Sequence, residues 1–188
     1  MKTAVYGIGN ILLGDDGVGP AVADYLSSRL AFDEDVTIED LGTPSLDLPN
    51  YLTGYGRVIF IDAVAVDAVP GSIHLFSREE IIAAPPGIRI SPHEPSINDA
   101  LIVLDFAGGA PEDVVLVGIV PQTLDGRMTL SPAVAEAVPR AAGIVIALLE
   151  WRGKSPAFRD PLPAMRVVPD RIDFCLVTES IRLRHPDR

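Results

Sequence analysis

Two adjacent carboxylates, Asp15 and Asp16, stand near the start of the chain in Gly7-Ile8-Gly9-Asn10-Ile11-Leu12-Leu13-Gly14-Asp15-Asp16-Gly17-Val18-Gly19. An apolar run, a glycine loop and a helical pattern in that order ordinarily suit a phosphate, because backbone amides at a helix start attract anions. Here the acids occupy the place a phosphate would approach, so a metal cation or a proton is the better-matched ligand. Further acids close two other apolar runs: Asp40 follows Val36-Thr37-Ile38-Glu39, and Asp62 follows Arg57 to Ile61. Of the three histidines, His74 falls in a strand-like run and His185 next to Pro186 near the chain's end. His93 differs, lying in Ser91-Pro92-His93-Glu94-Pro95-Ser96, where two prolines restrict the backbone before any ligand arrives.

Together Asp16, Asp62 and His93 offer two carboxylates and an imidazole. Such an O,O,N set suits a borderline divalent ion such as nickel or zinc and leaves coordination positions open. The same groups suit chemistry without a resident metal, an aspartate activating water and the histidine shuttling protons. The spacing leaves both readings open. Asp15 and Asp16 also have a plainer role as acids at the positive end of a helix, and Asp15 is the one expected to serve as an N-cap.

The elements that must position these residues are read from the apolar periodicity. Thr3 to Gly7 is a buried strand, and Gly17 to Leu30 repeats Val18, Val22, Leu26 and Leu30 at helical spacing. Further strands are expected at Val36–Ile38, Arg57–Ile61 and Val114–Ile119, with Ser72–Phe76 antiparallel near an edge. Ser45 is expected to cap a short helix over 46–52, and Ile81 to Ile90 reads as a connection interrupted by Pro85-Pro86. Helices are expected over Ser96–Phe106 and Ser131–Trp151, the latter kinked or split at Pro139. Alternating strands and helices predict an α/β fold: a three-layer α/β/α sandwich around a mostly parallel, twisted sheet of about five strands, phosphorylase/hydrolase-like. In such sheets ligands bind beyond the carboxyl ends of the strands, which is where Asp15, Asp16, Asp40 and Asp62 fall. Residues 1–151 are read as one domain. Residues 152–188 are read as a Pro-rich extension in which Ile172 to Val177 supplies apolar residues for packing on the body.

Composition narrows the function further. The 188 residues are 48% hydrophobic, enough for a core without staples, and the net charge is -11. Binding nucleic acid through its phosphates needs a basic face, so that class is set aside. The one cysteine, Cys175, excludes an internal disulfide and a four-cysteine zinc site, and it lacks an adjacent histidine to activate it. The longest uninterrupted apolar stretch, Ala141 to Leu149, is short for a bilayer, and no signal-peptide pattern opens the chain. A cytoplasmic monomer without an organic cofactor is expected. The dinucleotide fingerprint lacks its third glycine, and neither a Walker sequence nor a Gly-x-Ser-x-Gly elbow is present.

Four motifs, in order, resemble those of the hydrogenase maturation endopeptidases, the peptidase family M52. Gly7 to Gly19 resembles the family's N-terminal signature. Asp40-Leu41-Gly42-Thr43 is similar to its Asp-Gly-Gly-Thr loop, with Leu41 in place of a glycine. Ile61-Asp62-Ala63 and Ser91-Pro92-His93 are similar to its second acid motif and its histidine motif. The resemblance covers about residues 1 to 151. It implies a protease that removes the C-terminal extension from the large-subunit precursor of a nickel-iron hydrogenase after nickel insertion. It also implies that Asp16, Asp62 and His93 contact nickel held by the substrate, and that Asp40 serves substrate recognition or cleavage. Asp16 stands where many members carry a glutamate, one methylene longer. The extension after Trp151 is unmatched by the family core. One reading makes it a device of the subgroup serving NAD-reducing soluble hydrogenases, the other a passive tail. Two competing functions are a nickel-sensing chaperone of the precursor that does not cut, and a hydrolase acting on other chains.

Overall fold

The computed structural model describes residues 1–83, 97–151, 153 and 157–158. Its centre is a five-stranded sheet in the order β3-β1-β4-β6-β5, made from β1 (Thr3–Ile8), β3 (Val36–Gly42), β4 (Arg57–Ala63), β5 (Ile73–Ser77) and β6 (Asp113–Ile119). All pairings are parallel except β5 on β6. The antiparallel edge strand is the one expected from Ser72–Phe76. Every residue of β1 is buried, as a central strand covered on both faces requires.

The two faces follow from strand alternation. Val5, Ile59, Ile61, Val117 and Ile119 point to one side, where α1 (Val18–Arg29) and α5 (Pro132–Glu150) cover them. Tyr6, Val58, Phe60 and Leu116 point to the other, beneath α2 (Leu48–Leu52), α3 (Arg78–Ala83) and α4 (Ile97–Ala107). This is the three-layer sandwich that the alternation of elements predicts. A small antiparallel pair adds to it: β2 (Leu30–Ala31), which continues directly from α1, meets β7 (Ala157–Phe158), with Leu30 opposite Phe158.

Several expectations are corrected. Helix α5 is not split at Pro139, the one of the two expected outcomes that the structure overturns: helix continues from Pro132 to Glu150, and Pro139 and Ala135, whose carbonyl loses its partner there, both face solvent. By length and composition α5 could cross a bilayer, yet Val134, Ala137, Val138, Ala141, Val145 and Leu149 are buried in the core. Ser45 makes no capping hydrogen bond. It stands at φ 51° and opens a 3₁₀ turn, Ser45–Asp47, ahead of α2. Residues 81–83 belong to α3, a helix the sequence reading missed. The Pro85-Pro86 connection, Ser96, His185, Cys175 and the Ile172–Val177 segment lie outside the described residues.

Two buried polar groups tie the layers together. The Arg57 guanidinium, 3% exposed, meets Asp113 at 3.2 Å and donates to the Leu148 carbonyl at 2.7 Å. It thereby joins the paired starts of β4 and β6 to the last turn of α5, whose carbonyls favour a cation. Tyr6 is buried on the other face and donates its hydroxyl to the Tyr51 carbonyl at 2.8 Å. Burial, reinforced by Tyr55, Glu39 and Tyr51, raises the Tyr6 phenol far above its ordinary value. A tyrosine raised in the folded state stabilises the fold fully below its unfolded value, near pH 10, and loses that contribution as pH rises further. Alkaline unfolding above about pH 10 is therefore expected to be less steep in Tyr6→Phe than in the wild type. Denaturant midpoints measured across that range check this, and equal slopes would contradict it.

Candidate active site

The sheet changes winding direction between β1 and β4. From β1 the chain goes outward to β3 on one side, and it then returns past β1 to β4 on the other. The crevice at such a reversal, beyond the carboxyl ends of the two strands, is where open α/β sheets place their ligands. Asp16 lies in the 3₁₀ turn Gly14–Gly17 that follows β1, and Asp62 is the penultimate residue of β4. The turn touches β4 directly.

Glycines permit this close approach. A Cβ on Gly19, at the start of α1, would strike the carbonyl oxygens of both Ile8 and Ile61, so only glycine lets α1 begin wedged between the two strand ends. Gly9 stands at φ 135°, and a side chain there would overlap the Asp16 carbonyl. The glycine spacing that resembles a phosphate loop thus seats a carboxylate-bearing turn against the sheet.

The two adjacent acids have different environments. Asp16 is 8% exposed, and its Oδ2 accepts the Asn10 amide at 2.8 Å. Burial raises its carboxyl above the ordinary value, and the Asn10 hydrogen bond offsets this only in part. Asp15 is 0% exposed. Its Oδ2 accepts from the Gln122 and Thr123 amides at 2.8 and 3.0 Å and from the Ser131 hydroxyl at 2.8 Å, while its Oδ1 accepts the Ser131 amide at 2.6 Å. Burial alone would raise its carboxyl, but the bonds from Ser131, Thr123 and Gln122 outweigh burial and hold it below the ordinary value. The expected N-cap is therefore corrected. Gly17 occupies the N-cap of α1 and no side chain caps that helix, because the Asp15 carboxylate is engaged by the loop before α5. Nothing in the local sequence signals these partners, which lie over a hundred residues away.

The other predicted residues are placed as follows. The Asp62 Oδ1 accepts the Ala63 amide at 2.8 Å, and Asp62 is half-buried. Asp40 is exposed near the end of β3, where the register with β1 slips after Gly7, and its Oδ1 accepts the Gly42 amide at 2.7 Å. The irregularity turns the end of the strand beside α1. His93 lies outside the described residues. Among the described residues no three His, Cys, Asp or Glu side chains gather as a metal set. His74 is a sheet residue whose Nε2 is 3.1 Å from the Ser72 hydroxyl. Against the acid edge opens a groove of about 330 Å³, lined by Ile11, Gly14, Gly17, Asp24, Asp40 and Met128 among others.

This arrangement has clear counterparts. The sequence pattern of the hydrogenase maturation proteases matches residues 20–148. The hydrogenase 2 maturation protease of Escherichia coli is 32% identical over 154 residues, 81% of this chain and 93% of that protein. The hydrogenase expression/formation protein HoxM of Azotobacter vinelandii is 28% identical, covering 97% of this chain and 91% of its own, so that alignment extends past Trp151. In three dimensions the hydrogenase maturating endopeptidase HybD from E. coli superposes with a TM-score of 0.78 at 31% identity, over 85% of this chain and 98% of that one. The [NiFe] hydrogenase maturation protease HybD from Thermococcus kodakarensis gives 0.62 at 28%, over 79% and 99%. With its glycine-seated acids at the reversal of the sheet and relatives of this kind across most of its length, the chain belongs to the hydrogenase maturation protease family.

Proposed function

We propose that this protein removes the C-terminal extension of a nickel-iron hydrogenase large-subunit precursor, and that it does so by reading nickel already inserted in that substrate. The observation that supports the reading is that the turn carrying Asp16, whose Oδ2 is held by the Asn10 amide, lies against β4, the strand whose penultimate residue is Asp62. Two carboxylates make an incomplete ligand set, which suits an ion that arrives with other ligands of its own. Nickel carried by the substrate would draw on Asp16, Asp62 and the His93 imidazole and would supply Lewis acidity and a fixed position. Asp40 is exposed and lines the groove, which supports a part for it in contacting the peptide.

The chain's own part in hydrolysis is aspartic acid–base work. Water adds to the scissile carbonyl carbon, a carboxylate of the pair takes the water's proton, and that proton passes to the leaving nitrogen as the C–N bond breaks. The protein is proposed to act as a cytoplasmic monomer, in the compartment where the precursor is made.

The test is cleavage of the large-subunit precursor, with and without nickel, read by intact mass. Loss of one C-terminal peptide from the nickel-loaded form alone is the expected result. Equal cutting of both forms would remove nickel reading from the mechanism. Binding without any cutting would instead support the chaperone.

A further inference from the structure

The Asp15 carboxylate is held by four hydrogen bonds, but among the described residues the Asp16 carboxylate receives one, from the Asn10 amide at 2.8 Å. The direction of that N–H therefore bears on where the Asp16 oxygens stand. It depends on the loop between the end of β1 and the turn that carries Asp16. Burial does little to shape this loop, since Ile11, Leu12 and Leu13 are 55%, 53% and 39% exposed. Its shape falls to hydrogen bonds instead.

Those bonds centre on Asn10. Its side-chain Oδ1 accepts the Leu12 amide at 3.0 Å, the turn that asparagine forms with the amide two residues on. Its carbonyl accepts the Leu13 amide at 3.0 Å, and the Leu13 carbonyl accepts the Asp16 amide at 3.3 Å. With the Asn10 amide on the Asp16 Oδ2, these bonds close a ring from Asn10 through Leu13 to Asp16 and back. On one side the Gly9 amide donates to the Gly42 carbonyl at 2.9 Å and ties the ring to the end of β3. On the other the loop rests on Gly17, where a Cβ would stand 3.0 Å from the Ile11 Cα. Apart from the Asp16 carboxylate, the Asn10 Oδ1 is the side-chain atom in this set of bonds, so it is where residue type enters.

We propose that Asn10 is a positioning residue for the hydrolysis: its side-chain oxygen sets the turn that aims its own amide at Asp16, and so holds the Asp16 carboxylate in its working place. This rests on the protease reading above and adds to it how that carboxylate is aimed. Alanine at position 10 keeps the backbone amide but leaves the Leu12 amide to water, so the loop loses the bond that fixes its direction. A serine hydroxyl makes the same turn more weakly.

The experiment compares wild type, Asn10→Ala, Asn10→Ser and the control Ser77→Ala. It measures kcat and KM on the nickel-loaded precursor, the urea midpoint, and by NMR the exchange protection of the residue 10 amide. The Ser77 hydroxyl accepts the Glu80 amide at 3.3 Å at the start of α3, and Ser77 pairs with Val115 near the amino end of β6, so the control lowers stability away from the acids. Asn10→Ala is expected to lower kcat about tenfold with KM changed less than about twofold, because a small misplacement of a reacting group costs rate rather than affinity. Protection of the residue 10 amide is expected to fall about tenfold with it. Asn10→Ser is expected to lie between, and it carries the comparison if Asn10→Ala does not fold. Ser77→Ala is expected to keep wild-type kcat and protection although its midpoint falls. Wild-type protection in Asn10→Ala overturns the proposal whether or not the precursor is cut, and so does wild-type kcat. A change confined to KM, or an equal loss of kcat in Ser77→Ala, overturns it as well. Cleavage failing in wild type while protection still falls in Asn10→Ala overturns the protease reading and leaves the aiming of Asp16 standing.

Discussion

Asp16→Asn is expected to reduce precursor cleavage by a factor of about 10² to 10⁴, the range that a positioned acid–base group contributes, while the fold survives. The amide keeps the size of the side chain and an oxygen for the Asn10 amide, so the turn has no steric reason to move. It loses the negative charge, and with it both the capacity to take a proton and most of the attraction for a cation. Stability is expected to hold or rise slightly, because burial disfavours the ionised carboxylate at this position and a neutral amide escapes that penalty. Paired measurements of cleavage rate and denaturant midpoint check both halves. Cleavage within a few-fold of wild type would remove Asp16 from the chemistry, and a large loss of stability would make it a structural acid.

Asp15→Asn is expected to do the reverse and to destabilise the protein by about 2–4 kcal/mol, on the scale of hydrogen bonds to a buried charged group. The carboxylate accepts four hydrogen bonds on two oxygens. Asparagine has one acceptor oxygen. Facing Gln122, Thr123 and the Ser131 hydroxyl, it turns its amide nitrogen toward the Ser131 amide, so that two donors confront each other. Facing the Ser131 amide, it sets its amide nitrogen against the Gln122 and Thr123 amides and loses both, while the Ser131 hydroxyl turns to accept. Burial leaves little water to compensate, since Asp15 is 0% and Ser131 9% exposed. Urea unfolding at neutral pH measures the loss, and a change under about 0.5 kcal/mol would show that the loop finds other partners. On these expectations the two neighbouring acids separate into one that secures a loop and one proposed to serve the chemistry.

The sequence carried the fold because its strongest signals were local. Apolar runs marked β1, β3 and β4, and the acids that close β3 and β4 or follow β1 after its glycine loop, Asp40, Asp62 and Asp16, fall at one edge since parallel strands point the same way. Helices α1, α4 and α5 were legible from apolar spacing. The failures have the opposite character. Asp15 looks like a helix cap because caps are local, and its actual partners are set by tertiary contact with Ser131 and the two residues after β6 and Pro121. Pro139 looks like a break because a sequence does not say that its ring faces water. The groove was invisible for the same reason. Nothing in the sequence marks Ile11 and Met128 as exposed; only the fold leaves both in water on the lining of one groove.

The Arg57 anchor gives this framework a division of labour. It sits at the amino ends of β4 and β6, where it also holds the terminal turn of α5, while the acids occupy the opposite rim of the sheet. Strand length separates the two, so the rim can drift in sequence to follow a changing precursor without loosening the anchor. A designer altering client choice has exposed rim positions such as Asp40 and Met128 to rewrite, while the base and the rim's own fixed points, Gly9, Gly19 and Asp15, are left untouched.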